Sequence, residues 1–197
     1  MTLNSFQFNT TPGLRFGSGQ AKDSCKEISC KLGERILFIT DKGLMSLGLT
    51  NPTIKELKKN GSVEIFDNVE ADPSQKTLLN AIEVGKKIKA TGVIGFGGGS
   101  SMDVAKLTAL IVGSNENLEE AWGVANAKGP RLPLVLIPTT AGTGSEVTPI
   151  SIITVGEEEK KGVSSSLILP DLAILDPELT LGLPASTTAA TGIDAMV

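Results

Sequence analysis

The sequence predicts an α/β domain with a mostly parallel sheet that is covered by helices on both faces. Strand-length apolar runs alternate with segments of helical periodicity along most of the chain, which is the order that parallel sheets require. Residues 35–40 and 132–137 are apolar at nearly consecutive positions, which is typical of strands buried on both faces. In the middle of the chain, residues 93–96 form another such run, and three glycines and a helical pattern follow it.

The first third of the chain supplies outer elements of this sheet. Alternating apolar residues around the break at residues 11–13 predict an N-terminal edge strand or hairpin over residues 3–17. Apolar residues at helical spacing over 19–32 end at Gly33, which predicts a helix. The other predicted elements here are strands over 35–40 and 62–66 and helices over 42–47 and 51–60.

The rest of the chain continues the alternation. Asp72 followed by Pro73 predicts the start of a long helix that ends at residues 91–92. Residues 115–131 are polar and are predicted to be irregular. The remaining predictions are a strand over 93–96, a helix from 101, a strand over 132–137, a hairpin of 150–155 with 163–169, a strand over 171–176 and a helix from 187.

Composition restricts the classes of function. The 197 residues carry a formal net charge of −4 with scattered lysines and arginines, which argues against nucleic acid or an anionic membrane as a partner. No apolar run reaches the length of a membrane span and the start has no signal-peptide character, so we expect a cytoplasmic protein. The chain has no histidine and no tyrosine, so the usual proton-handling side chains are largely missing.

The glycine turn at residues 97–99 predicts an anion site. Glycines let a phosphate approach the main chain, and the first turn of the next helix offers free N–H groups and about half a unit of positive charge. A tight connection without a ligand explains the turn equally well. A P-loop is excluded because Ser101 and Met102 stand where Lys and Ser/Thr are needed, and the G-x-G-x-x-G fingerprint does not fit either.

Two further segments follow predicted strands at their carboxyl ends. Asp41 comes directly after the strand over 35–40, where a carboxylate can accept both ribose hydroxyls of an adenosine or can cap the next helix. Residues 138–148 mix threonine, serine and glycine, and this loop is dense in donors. Because open α/β sheets hold ligands at this edge, binding is favoured over a flexible surface loop.

Five segments, in this order, resemble the amino-terminal, nucleotide-binding half of the iron-containing (group III) alcohol dehydrogenases. They are FITDKGL at 38–44, GGGSSMDVAK at 97–106, PTTAGTGSEVT at 138–148, PDLAILDPELT at 170–180 and AATGID at 189–194. The resemblance implies a Rossmann-like fold and reversible hydride transfer between NAD(H) and a primary alcohol or its aldehyde. In that family Fe²⁺, sometimes Zn²⁺, polarises the substrate oxygen.

The resemblance also implies roles for single residues. Asp41 would face the adenosine ribose and favour NAD over NADP, because a 2′-phosphate beside a carboxylate is repelled. Asp103 is expected first to fix the start of its helix, and Lys161, a solvated turn residue by its local sequence, would lie near the nicotinamide ribose. The positions assigned to the cofactor besides Asp41 are Gly98, Gly99, Ser100, Asp103, Thr139, Thr140, Thr143, Ser145, Thr148 and Lys161.

The metal centre implied by the resemblance is incomplete here. The family holds its metal with one aspartate and three histidines, and Asp194 matches that aspartate. We therefore expect residues 1–180 to form the dinucleotide-binding domain and residues 181–197 to be the truncated start of a helical metal-binding domain. We expect the chain to be a fragment that binds no catalytic metal and is inactive alone.

The expected partners are NAD(H) and a second copy of the chain, which would form a homodimer through the N-terminal edge strand near Phe6 and Phe8. Two alternatives stay open. The chain could be a folding and oligomerisation module with little ligand affinity of its own, or half of a glycerol-dehydrogenase-like enzyme, whose pattern fits residues 139–148 less well.

Overall fold

Strands and helices alternate in the computed structural model, which describes residues 8–157 and 159–196. The strands are β1 (Leu14–Phe16), β2 (Arg35–Ile39), β3 (Ser62–Phe66), β4 (Gly92–Gly97), β5 (Gly123–Val124), β6 (Leu134–Pro138), β7 (Ile150–Val155), β8 (Glu159–Ser164) and β9 (Leu172–Leu175). The helices are α1 (Gln20–Asp23), α2 (Cys25–Leu32), α3 (Lys42–Ser46), α4 (Asn51–Leu57), α5 (Gln75–Lys87), α6 (Gly99–Ser114), α7 (Leu118–Ala121) and α8 (Ala185–Asp194).

The main sheet has six parallel strands in the order β1-β9-β6-β4-β2-β3. From β2 the chain continues outward to β3, whereas from β4 it continues in the other direction to β6. The strand order therefore reverses between β2 and β4, and ligands of open α/β sheets bind outside the carboxyl ends of strands at such a point. A smaller sheet, in the order β5-β8-β7, adjoins this core. The predicted fold class is confirmed.

Alternate side chains of the strands fill two cores, one on each face of the main sheet. Phe38 and Phe96 lie on the face covered by α1, α2 and α4, and their ring centroids are 5.5 Å apart. Leu37 and Leu136 lie on the opposite face, which α5 and α6 cover. This alternation follows from the two-residue period of a strand, and it places helices on both sides of the sheet.

Helix α6 packs unusually close to the sheet because β4 presents a glycine to it. A Cβ atom at Gly95 would lie 2.7 Å from both Ala105 Cβ and Leu136 Cδ2. Ten of the sixteen residues of α6 are buried, so the helix lies inside the domain. Its amino-terminal end lies at the carboxyl end of β4, where the sheet order reverses.

The amino-terminal region differs in part from the prediction. The edge strand is present as β1, which pairs in parallel with β9, but no strand is assigned over residues 8–13. The rest of the first arm of the predicted hairpin, residues 3–7 with Phe6, lies outside the described residues. The single helix predicted over 19–32 is two helices, α1 and α2, which meet at Ser24.

Three later boundaries were also predicted wrongly. Helix α5 is capped by Ser74, whose side chain accepts a hydrogen bond from Thr77 N, whereas Asp72 precedes it with a φ of 51°. The segment 115–131 contains α7 and the short strand β5. Strand β8 begins at Glu159, so Lys160 and Lys161 belong to a strand and not to a turn.

Candidate functional site

A cavity of about 510 Å³ opens at the carboxyl ends of β2, β4 and β6. It lies where the strand order reverses. Its walls come from the turn after β2, the loop after β3, the glycine turn after β4 and the start of the loop after β6. The lining residues from the predicted set are Asp41, Gly98, Gly99, Ser100, Thr139 and Thr140. Six of the eleven positions assigned to the cofactor thus line one cavity.

The floor of the cavity is the glycine turn and the first turn of α6. Gly97 has a φ of 150°, and a Cβ atom there would lie 2.7 Å from Ser101 Oγ, so this position requires glycine. Gly98 is the N-cap of α6, and no side chain caps the helix. The first N–H groups of the helix have no partner within it, and residues 98–101 border the cavity. An anion placed there would meet free donors and the positive end of the helix dipole.

Asp41 has one of its two predicted roles in the structure, that of the helix cap, and it also faces the cavity. It is the N-cap of α3, and its Oδ1 accepts a hydrogen bond of 2.9 Å from Leu44 N. It also lines the cavity beside the glycine turn. Because the cap occupies only Oδ1, the second carboxylate oxygen is available to a ligand hydroxyl.

The hydroxyl-rich loop forms the wall opposite α3. Thr140 Oγ1 is buried and has no hydrogen-bond partner among the described residues. This atom lies 3.7 Å from where a Cβ atom on Gly98 would be. Thr143 lies against Gly99, where an added Cβ would be 3.1 Å from Thr143 Cγ2. The unpaired hydroxyl is therefore placed to donate to a group bound at the glycine turn.

A second cavity, of about 420 Å³, continues along the same edge of the sheet. It lies at the ends of β1, β9 and β6, and Thr140 lines both cavities. Phe16, Leu175 and Pro177 give it apolar walls, and Glu146 is a charged residue in its lining. Together the two cavities border the carboxyl ends of β1, β9, β6, β4 and β2.

Asp103 on α6, and Ser145 and Thr148 at the far end of the hydroxyl-rich loop, line neither cavity. Asp103 Oδ1 accepts a hydrogen bond of 2.8 Å from Ser145 Oγ, and its Oδ2 accepts one of 3.0 Å from Ile152 N. The expectation that Asp103 fixes the helix start was wrong, because the residue lies beyond the first turn and its carboxylate binds the loop and β7.

Sequence reasoning missed Lys106, which joins this group. Its side chain is fully buried, and its Nζ donates to Ser145 Oγ (2.9 Å), Thr148 O (3.0 Å) and Ile150 O (2.6 Å). Nζ is also 3.8 Å from Asp103 Oδ1. The only signal in the sequence is a lysine inside the otherwise apolar stretch over residues 104–111.

Burial shifts the pKa values of Lys106 and Asp103. Desolvation lowers the pKa of Lys106 from 10.5 to about 8, although Asp103 and then Glu146 act in the opposite direction. Desolvation also raises the pKa of Asp103, although the charge of Lys106 and the hydrogen bonds from Ile152 N and Ser145 oppose it. Three hydrogen bonds compensate Lys106 for the loss of water.

The comparisons with known proteins agree with this geometry. The model of the iron-containing alcohol dehydrogenases matches residues 12–177. The chain belongs to this family. The sulfoacetaldehyde reductase of Bilophila wadsworthia (strain 3_1_6) is 35% identical over 196 residues, which cover 98% of this chain and 50% of that protein. The chain spans about half the length of the curated relatives it matches.

Solved structures give the same result. A 1,3-propanediol oxidoreductase has a TM-score of 0.92 at 31% identity, covering 98% of this chain and 51% of its own. The sulfoacetaldehyde reductase from Bifidobacterium kashiwanohense, solved in complex with NAD⁺, has a TM-score of 0.85 at 32% identity, covering 97% and 51%. The matched half of these structures has the fold described above.

The metal of the family does not fit the described residues alone. The chain has no histidine, and no three His, Cys, Asp or Glu residues within 8–157 and 159–196 could hold a metal ion together. Asp194 lies exposed at the end of α8. Lys161 lies opposite Ile153 in the smaller sheet and lines neither cavity. The structure thus does not bring these two residues to the glycine turn.

A search of the described residues finds no helix that is long and apolar enough to cross a membrane.

The buried lysine predicts a pH dependence of folding. An unfolded chain keeps the ordinary lysine pKa of 10.5, whereas Lys106 titrates near 8 in the folded state. Between these values the unfolded state binds more protons, so the folded state gains stability as the pH rises. We expect the free energy of unfolding in urea to rise more over this range in the wild type than in Lys106→Met, which keeps the facing acids Asp103 and Glu146. Parallel pH profiles for the two proteins would contradict the assignment.

Proposed function

We propose that this chain is the NAD-binding part of a metal-dependent alcohol dehydrogenase, which transfers hydride reversibly between NAD(H) and a primary alcohol or its aldehyde. The observation that carries the proposal is the cavity at the reversal of strand order, which joins the free helix terminus of α6 to the carboxylate of Asp41. Membership of the family and the likeness to an NAD⁺ complex support it.

The cofactor would be held in parts by different elements. Gly98, Gly99 and Ser100 would bind the pyrophosphate through the first N–H groups of α6. The free oxygen of Asp41 would accept from the adenosine ribose. Thr139 and Thr140 would line the path from the pyrophosphate toward the second cavity, with Thr143 packed behind the turn. The bound nicotinamide would supply the hydride chemistry.

The remaining four residues of the predicted cofactor set line neither cavity and would act on the cofactor less directly. Asp103, Ser145 and Thr148 would act on the cofactor through the position of the loop, because Ser145 donates to Asp103 and Lys106 donates to both Ser145 and Thr148. Lys161 would reach the nicotinamide ribose only if the smaller sheet bends over the cleft.

The first test is a titration with NADH and NADPH, followed by nicotinamide fluorescence and calorimetry. The wild type should bind NADH and bind NADPH more weakly, because a 2′-phosphate would lie beside a carboxylate. In Asp41→Asn the preference should shrink about tenfold, the equivalent of roughly 1.4 kcal/mol, while folding stability stays near that of the wild type, because Asn is as good an N-cap as Asp.

Asp41→Ala is the matched control, since it removes the charge and also the cap. It should lose the preference together with about 1 kcal/mol of folding stability. Wild-type protein that binds neither nucleotide would refute the proposed function, and an unchanged preference in Asp41→Asn would refute the role of the carboxylate.

We also propose that these residues by themselves hold no catalytic metal and turn over no alcohol. One carboxylate is too few for a transition-metal site, and the chain offers no imidazole. Anaerobic equilibrium dialysis against Fe²⁺, and separately against Zn²⁺, should leave no stoichiometric metal on the protein. Retention of one equivalent, or alcohol-dependent reduction of NAD⁺, would overturn this proposal.

A second candidate property, self-association, is favoured by the edge strand β1. Gly17 N donates to Leu175 O and Ala173 N donates to Gly13 O, so the alternating N–H groups of Leu14 and Phe16 point away from β9. These groups lie along the outer edge of the main sheet, and the side chain of Phe16 is 73% exposed. Such an edge is a template for pairing with a second copy.

We expect sedimentation to show a homodimer that Leu14→Lys converts to monomer, because a lysine on an edge strand opposes edge pairing. Leu79→Lys is the matched control, since Leu79 is 48% exposed on α5 and Leu14 is 47% exposed. A wild type that sediments as a monomer, or two variants that behave alike, would show that β1 is not the interface.

A further inference from the structure

Lys106 links α6 to a single distant segment of the chain. Its three acceptors, Ser145 Oγ, Thr148 O and Ile150 O, lie 39, 42 and 44 residues further along the sequence. A lysine is almost never fully buried unless it is paired. Here every hydrogen bond of the ammonium group, which has three donors, is made to residues 145–150, which are the end of the hydroxyl-rich loop and the start of β7.

Asp103, one turn earlier on the same helix, completes the link. Its carboxylate accepts from Ser145 Oγ and Ile152 N, and its backbone carbonyl accepts from Ser151 Oγ at 3.0 Å. Ser145 Oγ therefore donates to Asp103 and accepts from Lys106, which is within the capacity of one hydroxyl group. Residues 145–152 are thus fixed to α6 by both members of an ion pair.

This attachment determines where residues 139–144, the first part of the hydroxyl-rich loop, lie. Residues 139–144 form no regular element, and Gly142 lies against Thr191 of α8, where an added Cβ would be 2.5 Å from Thr191 O. One end is β6, and the other end is Ser145. Thr143 lies against Gly99 and Thr140 Oγ1 points unpaired toward Gly98, so a shift of Ser145 would move the wall of the cavity.

Stability alone does not explain the buried pair. Replacement of a buried ion pair by apolar side chains of similar size is often neutral or stabilising. Both members would have to be replaced together, because removing the lysine alone leaves the buried carboxylate of Asp103 without its partner. The polar attachment therefore has a separate effect, which is to fix the loop in one arrangement before a ligand arrives.

We propose that Lys106 is a positioning residue for the dinucleotide site, holding residues 139–150 in the arrangement that binds the pyrophosphate while touching no ligand itself. This inference rests on the proposed function. It assigns a role to Lys106, which is not among the residues that the family resemblance implies for the cofactor.

The decisive variant is Lys106→Met, compared with the wild type in three measurements. The free energy of unfolding in urea at pH 7 should fall, because the buried carboxylate of Asp103 and the carbonyl groups of Thr148 and Ile150 lose their partner. Hydrogen exchange of the amides in residues 139–150 should be faster. The affinity for NADH should fall about tenfold or more, the equivalent of ordering one or two loop residues on binding.

The matched control is Lys128→Met, which makes the same substitution in an ion pair with Glu120 whose side chains are 65% and 57% exposed. Because exposed pairs contribute little, all three measurements should match the wild type. Ser145→Ala removes only the bridging hydroxyl and keeps the lysine on its two carbonyl groups. It should show the same changes to a smaller extent, and it decides the question if Lys106→Met does not fold.

The outcomes separate the two proposals. Faster exchange in the loop with weaker NADH binding supports the positioning role. Unchanged exchange, or faster exchange with unchanged NADH affinity, overturns it while the wild type still binds NADH. A wild type that fails to bind NADH refutes the proposed function, and the positioning role then falls with it.

Discussion

The close contact between α6 and β4 is the constraint on which the site depends. Gly95 removes the side chain that would otherwise hold the helix away from the strand, so the helix backbone lies against the sheet. The turn from β4 into α6 requires a glycine at residue 97, where φ is 150° and an added Cβ would lie 2.7 Å from Ser101 Oγ. The turn leads into the uncapped amino terminus of α6, which lines the cavity together with Asp41.

The charges near the cavity have different functions. Lys106 and Asp103 face each other across 3.8 Å, so at a distance the pair has little net field. The positive groups that border the cavity are Lys42 and the amino terminus of α6, and not the buried Lys106. Lys106 contributes instead through its hydrogen bonds to Ser145, Thr148 and Ile150.

Much of the fold followed from the sequence because its signals are local. Continuous apolar runs and glycine breaks gave the strands of the main sheet and their parallel order, and the position of Asp41 after β2 gave its role as the cap of α3. Lys106 could not be predicted in this way. A lysine in a helix is ordinarily solvated, and it becomes buried only when acceptors arrive from a segment about forty residues away. The strand β8 was misjudged for a similar reason, since the backbone of Glu159 to Lys161 pairs with β7 whatever the side chains are.

Helix α6 positions both the floor of the candidate site and the wall opposite α3. Its amino terminus forms the floor of the cavity, and its second turn, through Asp103 and Lys106, holds the segment that continues into the opposite wall. Because the glycine turn and the loop segment are attached to the same buried helix, they cannot move apart unless that helix loses its packing. Thr139 N also donates to Gly97 O, and Gly142 lies against Thr191 of α8, so the loop is held at further points between its ends. The arrangement thus gives an irregular segment, rich in hydroxyl groups, a fixed position relative to the glycine turn.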